Sequence, residues 1–235
     1  MKTVSFFFCC AALYAADTIV VSEGRPLSKL ALELTQRYGY LVTYEEAPYD
    51  STALRTVLIV FHVPDASQVQ ALAAANLRIP FGLPDVLMPL LKEYSQSGNP
   101  GKFAVMFEGG YAHIVPTARV VGGKLEEFAP VLNTTVTLTS RGHSCNEALD
   151  ALFNQIATVR GVCVVKAMVP VGALLRHECS IVANTIPARE VLKGILEQLG
   201  ATPGHAGPNN RFTWALLYDL NTDRYFLSTI LVPDR

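Results

Sequence analysis

PLSKLALELTQRYG, residues Pro26 to Gly39, is the stretch from which the fold of this chain can be read. Leu27, Leu30, Ala31, Leu34 and Tyr38 recur at helical spacing on one side, with Lys29, Glu33 and Arg37 opposite. Pro26 suits a first helical position, where no N–H is needed, and Gly39 suits the left-handed stop. The pattern returns in PDVLMPLLKEYSQSG from Pro84, SCNEALDALFNQIATVRG from Ser144 and IPAREVLKGILEQLG from Ile186. Each is a one-faced helix that ends at a glycine and stands beside short β-rich stretches.

In the first half, TIVV at Thr18, YLVTYEE at Tyr40 and TVLIVFHV at Thr56 predict strands, and DASQVQALAAAN at Asp65 predicts an extra helix. Pro89 is tolerable in the helix burying Val86, Leu87, Leu90, Leu91 and Tyr94 only if that helix starts near Asp85. KFAVMFEGGYAHIVPT then predicts a hairpin turning at Gly109 and Gly110. After a Gly-Gly and charged connector, Val121 to Glu127, the order restarts with a strand, TTVTLTS at Thr134. A helix follows, opened by a Ser144/Glu147 capping box and burying Cys145, Ala148, Leu149, Leu152, Phe153 and Ile156. VCVVKAMV at Val162 and CSIVAN at Cys179 predict strands. The last helix buries Ala188, Val191, Leu192, Ile195 and Leu199, and RFTWALLYD with YFLSTILV closes the chain as a hairpin.

Both halves therefore read βαββαββ. The expected fold is α+β: two modules, residues 17–118 and 133–235, each a small mixed sheet packed against two helices, joined by a connector over 119–132. Duplication is the economical explanation. The competing explanation is that many α+β chains yield such an order when strands are assigned generously.

The 235 residues are 50% hydrophobic and 17% charged, which argues against disorder. A net charge of -1 and the lack of any basic run longer than two residues argue against nucleic acid as a partner. MKTVSFFFCCAALYAAD, with one Lys, an apolar run and small residues before Asp17, reads as a secretion signal over 1–16, cleaved after Ala15 or Ala16. The alternative is a buried first strand or helix. No later apolar run reaches the roughly 18 residues that span a bilayer, so the expected location of the mature chain is periplasmic or secreted. Cys145, Cys163 and Cys179 then remain, and all three pairings stay open. Cys163 and Cys179 both fall in strand-like stretches, which favours a cross-strand bridge between them.

RPLSKLALELTQRYGYLVTYEE, Arg25 to Glu46, resembles the start of the secretin and TonB short N-terminal domain, a small module of the bacterial envelope. PDVLMPLLKEYSQSG with KFAVMFEGGYAHIVP would supply its later part, and CSIVANTIPAREVLKGILEQLG with FTWALLYD looks like a second, closer copy. The first copy departs by an insertion between Pro64 and Leu83, and nothing here resembles the pore or barrel that such a domain usually accompanies. The resemblance implies a periplasmic interaction module without catalytic residues or cofactor, whose partner is another envelope protein.

Two triplets offer chemistry: His143-Ser144-Cys145 and His177-Glu178-Cys179. Imidazole and thiolate ligate zinc or copper, so His143, Cys145, His177 and Cys179 are candidate metal ligands if the two segments lie side by side. The plainer reading is a disulfide and two surface histidines. Cys145 at a helix start also suits a stabilised thiolate, against a simple core cysteine. Asp17, Glu45, Glu46 and Asp50 do not pair at a spacing that suggests acid and base work, and Glu126 with Glu127 reads as a solvated turn. Asn133-Thr134-Thr135 matches a glycosylation acceptor. Phe212, Trp214, Leu216 and Tyr218 place large residues on one strand face, expected as core; the functional alternative is an exposed edge that accepts a partner's strand. The leading expectation is a non-enzymatic binding protein. The runner-up is a metal-binding or thiol-active protein using the paired triplets.

Overall fold

A computed structural model describes residues 16–21, 25–49, 59–64, 83–97, 99, 101–201 and 210–232. The expected leader up to Ala15, the extra helix at Asp65 and most of the GHAGPNN loop at Gly204 lie outside the described residues.

The described first half runs β1 (Ala16–Val21), α1 (Pro26–Tyr38), β2 (Val42–Glu45), β3 (Ile59–Pro64), α2 (Leu83–Gln96), β4 (Lys102–Glu108), β5 (Tyr111–Val121) and β6 (Lys124–Glu127). A 3-10 turn, Val131–Asn133, leads into the second half. There follow β7 (Thr135–Ser144), α3 (Cys145–Arg160), β8 (Cys163–Lys166), the short α4 (Val171–Arg176), β9 (Glu178–Pro187), α5 (Ala188–Gly200), β10 (Arg211–Asp219) and β11 (Arg224–Val232).

Local chemistry accounts for the helix limits. Pro26 opens α1, and Gly39 closes it at φ 68°, where its N–H reaches Thr35 O and Tyr40 N–H reaches Leu34 O. The expected capping box opens α3: Glu147 N–H donates to Ser144 Oγ at 3.2 Å, and Ser144 N–H to Glu147 Oε2 at 2.8 Å. Gly161 closes that helix in the same left-handed conformation as Gly39. Helix α2 departs from expectation. It begins at Leu83 rather than near Asp85, so Pro89 sits inside it, on an exposed face.

Pairing repeats between the halves. β1 pairs antiparallel with β3, and β7 with β9; β4–β5 and β10–β11 are antiparallel hairpins; β2 runs parallel to β5, and β8 parallel to β11. The α+β class holds, but the two three-strand sets are not separate sheets. Parallel pairing of β2 with β10 joins them in the order β4-β5-β2-β10-β11-β8. Val42, Tyr44, Ala112 and Ile114 face the core under α1 and α2, whereas Trp214, Leu216, Tyr225 and Leu227 face the core under α3 and α5. The two helix pairs thus cover opposite faces of one sheet.

Two expectations are corrected here. The connector is largely strand: β5 runs to Val121, turns through Gly122 and Gly123 at φ 56° and 75°, and returns as β6. Glu126 and Glu127 therefore lie on a strand, because two adjacent glycines with positive φ make a hairpin turn. β10 is no edge either, since β11 and β2 flank it and both Thr213 and Trp214 are buried. Its aromatic face is core, as the first reading had it.

Ser144→Ala removes the hydroxyl half of the α3 cap. A loss of about 1 kcal/mol is expected, read as a lower urea midpoint with an unchanged denaturant slope.

Candidate functional site

The two His-x-Cys triplets do meet. β7 and β9 set His143 opposite Cys179 and Ser144 opposite Glu178, and Cys145 N–H donates to His177 O at 2.7 Å. The outcome is a disulfide between Cys145 and Cys179, both fully buried. This replaces the expected Cys163–Cys179 bridge: β8 belongs to the long sheet and β9 to a separate ribbon, and Cys163 is a free, exposed thiol. In this state neither bridged sulfur is a thiolate, so the candidate ligand set reduces to two histidines. His143 is exposed, 3.7 Å from Glu147. Among the described residues no cluster of three or more His, Cys, Asp or Glu is placed to hold a metal.

The densest polar chemistry lies instead at the junction of β2 with β10. Glu45 Oε2 accepts from Arg189 Nη2 at 2.9 Å, with both side chains at most 3% exposed. Glu45 Oε1 accepts from Leu132 N–H at 3.1 Å, and Arg189 Nη1 donates to Asn133 Oδ1. Burial pushes the Glu45 carboxyl up, while Arg189 and the backbone donors pull it back. The next residue, Glu46, accepts from Arg25 Nε at 3.0 Å and from Tyr218 N–H at 2.8 Å. Arg25 also donates to Tyr49 Oη at 2.9 Å and Tyr218 O at 2.6 Å. Burial lifts Glu46 to about 7 against the pull of Arg25.

His113 on β5 is fully buried, with Nδ1 2.7 Å from Thr43 Oγ1 and its ring in a three-ring cluster with Tyr111 and Trp214. Burial first, then Arg189 and Lys193, lowers it to about 3 and keeps it neutral. Both carboxylates are satisfied, each bound by an arginine and a backbone N–H, whereas His113 Nε2 is buried without a hydrogen-bond partner among the described residues. The cavity beside Arg25, Tyr44, Glu46, Tyr94 and Phe103 is about 40 Å³, room for little more than ordered water.

Reading the sequence set Glu45 and Glu46 aside and singled out neither arginine. One signal was available. A helix N-terminus disfavours a cation, yet Arg189 stands in the first turn of α5, which points to a carboxylate partner.

What remains open is surface. β4 and β8 are the two end strands of the long sheet. Beside β4 runs a groove of about 640 Å³ whose lining includes Ala104, Met106, Pro116, Phe128 and Pro130. Comparison with family models, with curated proteins and with solved structures finds no match for this chain.

Arg189→Met leaves Glu45 buried without its counter-ion and is expected to cost about 3–5 kcal/mol. The double variant Glu45→Leu with Arg189→Met is expected to recover most of that loss in the same urea titration.

A second expectation concerns pH. The Glu46 carboxyl, raised from 4.5 to about 7 on folding, contributes stability that is complete below pH 4.5 and lost as pH rises to 7. His113, lowered from 6.5 to about 3, contributes stability complete above pH 6.5 and lost on acidification. Between these limits the two slopes, each up to about 1.4 kcal/mol per pH unit, oppose one another. Glu46→Gln keeps only the His113 slope. Its urea midpoint is expected to fall from pH 6.5 to pH 4.5 more steeply than that of the wild type.

Proposed function

We propose that this chain is a secreted or periplasmic, non-enzymatic protein-binding module of the bacterial cell envelope, built from two repeats similar to the secretin and TonB short N-terminal domain. One observation carries the reading. Each half has the order strand, helix, strand, strand, helix, hairpin, the second with the short α4 added between β8 and β9, and the same partners are paired in the same sense; this is the order that the resemblance implies. Two further facts support it. The Cys145–Cys179 bridge suits an oxidising compartment, and the ionisable side chains at the junction are engaged with one another rather than presented to a substrate. The binding role falls to the outer strands and the groove beside β4.

The test is export together with capture. Of the five cysteines, the exported and processed chain should show one reactive thiol, Cys163, under denaturing conditions; the unprocessed oxidised chain, keeping Cys9 and Cys10, should show three. Cys145→Ser with Cys179→Ser should lose about 4 kcal/mol of stability, the loop-closure figure for a separation of 34 residues. Cross-linking in intact cells should join the chain to one envelope protein in the same complex from preparation to preparation. A chain retained in the cytoplasm with three reduced thiols in its second half would overturn the reading.

A further inference from the structure

The junction inside the molecule is a pairing between unlike edges. The inner edge of the first half, β2, meets the outer edge of the second half's hairpin, β10, and the two run parallel. By element order and pairing, β10 is the counterpart of β4, and β8 the counterpart of β2. The sheet order β4-β5-β2-β10-β11-β8 therefore places the halves head to tail. Among the described residues it leaves one free edge of each kind, β4 at one end and β8 at the other. We propose that these two edges pair between copies of this chain, β8 of one molecule with β4 of the next, repeating the internal β2–β10 junction.

Strand directions permit it. β2 is parallel to β5 and β5 antiparallel to β4; β10 is parallel to β2, β11 antiparallel to β10, and β8 parallel to β11. It follows that β8 and β4 of one molecule point the same way. A second molecule, shifted along the sheet without turning, brings its β4 parallel to the first molecule's β8.

Backbone groups are available on both edges. Ala112 N–H donates to Leu41 O on the β2 side, so the alternate residues of β5 bond to β4. Ala104, Met106 and Glu108 then face β5, while Phe103, Val105 and Phe107 turn their N–H and C=O outward. Pro116, which has no N–H, stands opposite Phe103, as this phase requires. On β8, Ala167 N–H donates to Leu227 O, so Val164 and Lys166 face the open side. At the internal junction the same phase holds, with Glu46 N–H donating to Leu216 O at 2.9 Å.

The register follows by counting from the hairpin turns. Val105 stands before Glu108 as Leu216 stands before Asp219, and Lys166 opposes Leu227 as Tyr44 opposes Ile114. Inside the chain Tyr44 lies opposite Ala215 and Glu45 opposite Leu216. Between chains Lys166 lies opposite Ala104, and Ala167 opposite Val105. The middle of β4 is unguarded: Phe103 to Phe107 hold no charge or proline, and Met106 and Phe107 are exposed, although Lys102 and Glu108 flank them and β8 is a four-residue strand that carries Lys166. Met168, just past β8, is 74% exposed.

One difference sets the strength. The positions equivalent to Glu45 and Glu46 on the β8 edge are Ala167 and Met168, so the external junction lacks the two ion pairs that lock the internal one. It rests on backbone hydrogen bonds and apolar contact, and it is reversible. Since the operation relating neighbours is a translation, the assembly is open-ended.

The experiment is sedimentation of the purified protein over a range of concentrations, for wild type, Val105→Pro and Lys166→Pro. Each substitution removes an N–H directed at an open edge, so the sheet loses no internal backbone bond, although Lys166→Pro also removes the Nζ contacts with Asp150 and Asn146. Wild type is expected to grow beyond a dimer as concentration rises, and each variant alone to stay monomeric. An equal mixture of the two variants is expected to form one-to-one dimers and nothing larger, because one retains β8 and the other β4. A wild type that stays monomeric overturns the proposal; so does a Lys166→Pro variant that still dimerises, which would mean β4 pairs with itself. Hydrogen exchange on the wild type does not depend on either variant folding. Amides of β4 and β8 should gain protection together with concentration while β7 and β9 do not, and unchanged exchange on β4 and β8 overturns the proposal. The outcome is independent of whether an envelope partner exists.

Discussion

Everything in this molecule passes through four residues of backbone. β2, Val42 to Glu45, is the strand on which the first half ends its share of the sheet and against which the second half begins. It is buried on both faces, and it closes with two acids in succession. Because neighbouring side chains leave a strand on opposite faces, Glu45 goes to Arg189 under one helix layer and Glu46 to Arg25 under the other. Each carboxylate also takes a backbone N–H from the far side of the junction, Leu132 or Tyr218. A buried pair of this kind adds little net stability over an apolar substitute, since desolvating both charges offsets their attraction. Its effect is on alternatives: sliding β10 along β2 by one residue would draw Arg189 away from Glu45, leaving a buried carboxylate and guanidinium unpaired, and would take Tyr218 N–H and O away from Glu46 and Arg25. Register is held by the cost of the wrong arrangement.

The second half has its own fastening. Cys145 begins α3 directly after β7, and Cys179 lies on β9, the strand paired to β7. Their bridge ties a helix start to the ribbon that covers it, on the far side of the core from the junction. In the first half the positions equivalent to these two cysteines carry none. The free thiol, Cys163, is exposed on β8, which belongs to a different sheet from β9. Both histidines of the paired triplets lie near the cysteines as their spacing suggests, yet the two sulfurs are bonded to each other, and His143 is at the surface.

Placing the two helix layers on opposite faces follows from the same junction. Tyr44 and Ala215 are opposite one another in register and share a face, but Tyr44 lies under its own helices and Ala215 faces away from its own. The second half is therefore turned over relative to the first. This geometry buries β10 on both sides and makes Trp214 a core residue, with the rings of Tyr111 and His113 from the other half tilted against it. It also leaves the two ends of the sheet unlike one another.

Local patterns determined a good deal without reference to the fold. The apolar faces of α1, α3 and α5, the capping box, the Gly39 and Gly161 stops and the two terminal hairpins are set by interactions within about four residues, and these were legible. So was the βαββαββ order of the first half; the second follows it apart from the short α4, which the pattern does not mark. What tertiary structure alone decided is which strands became neighbours. The β2–β10 pairing spans some 170 residues and has no local mark, because a parallel strand pair is made by backbone groups that every residue carries. Glu45, Glu46, Arg25 and Arg189 look like ordinary surface charges until that pairing encloses them. The choice of Cys145 over Cys163 for the bridge has the same origin: sequence supplies the thiols, and distance in the folded chain selects between them.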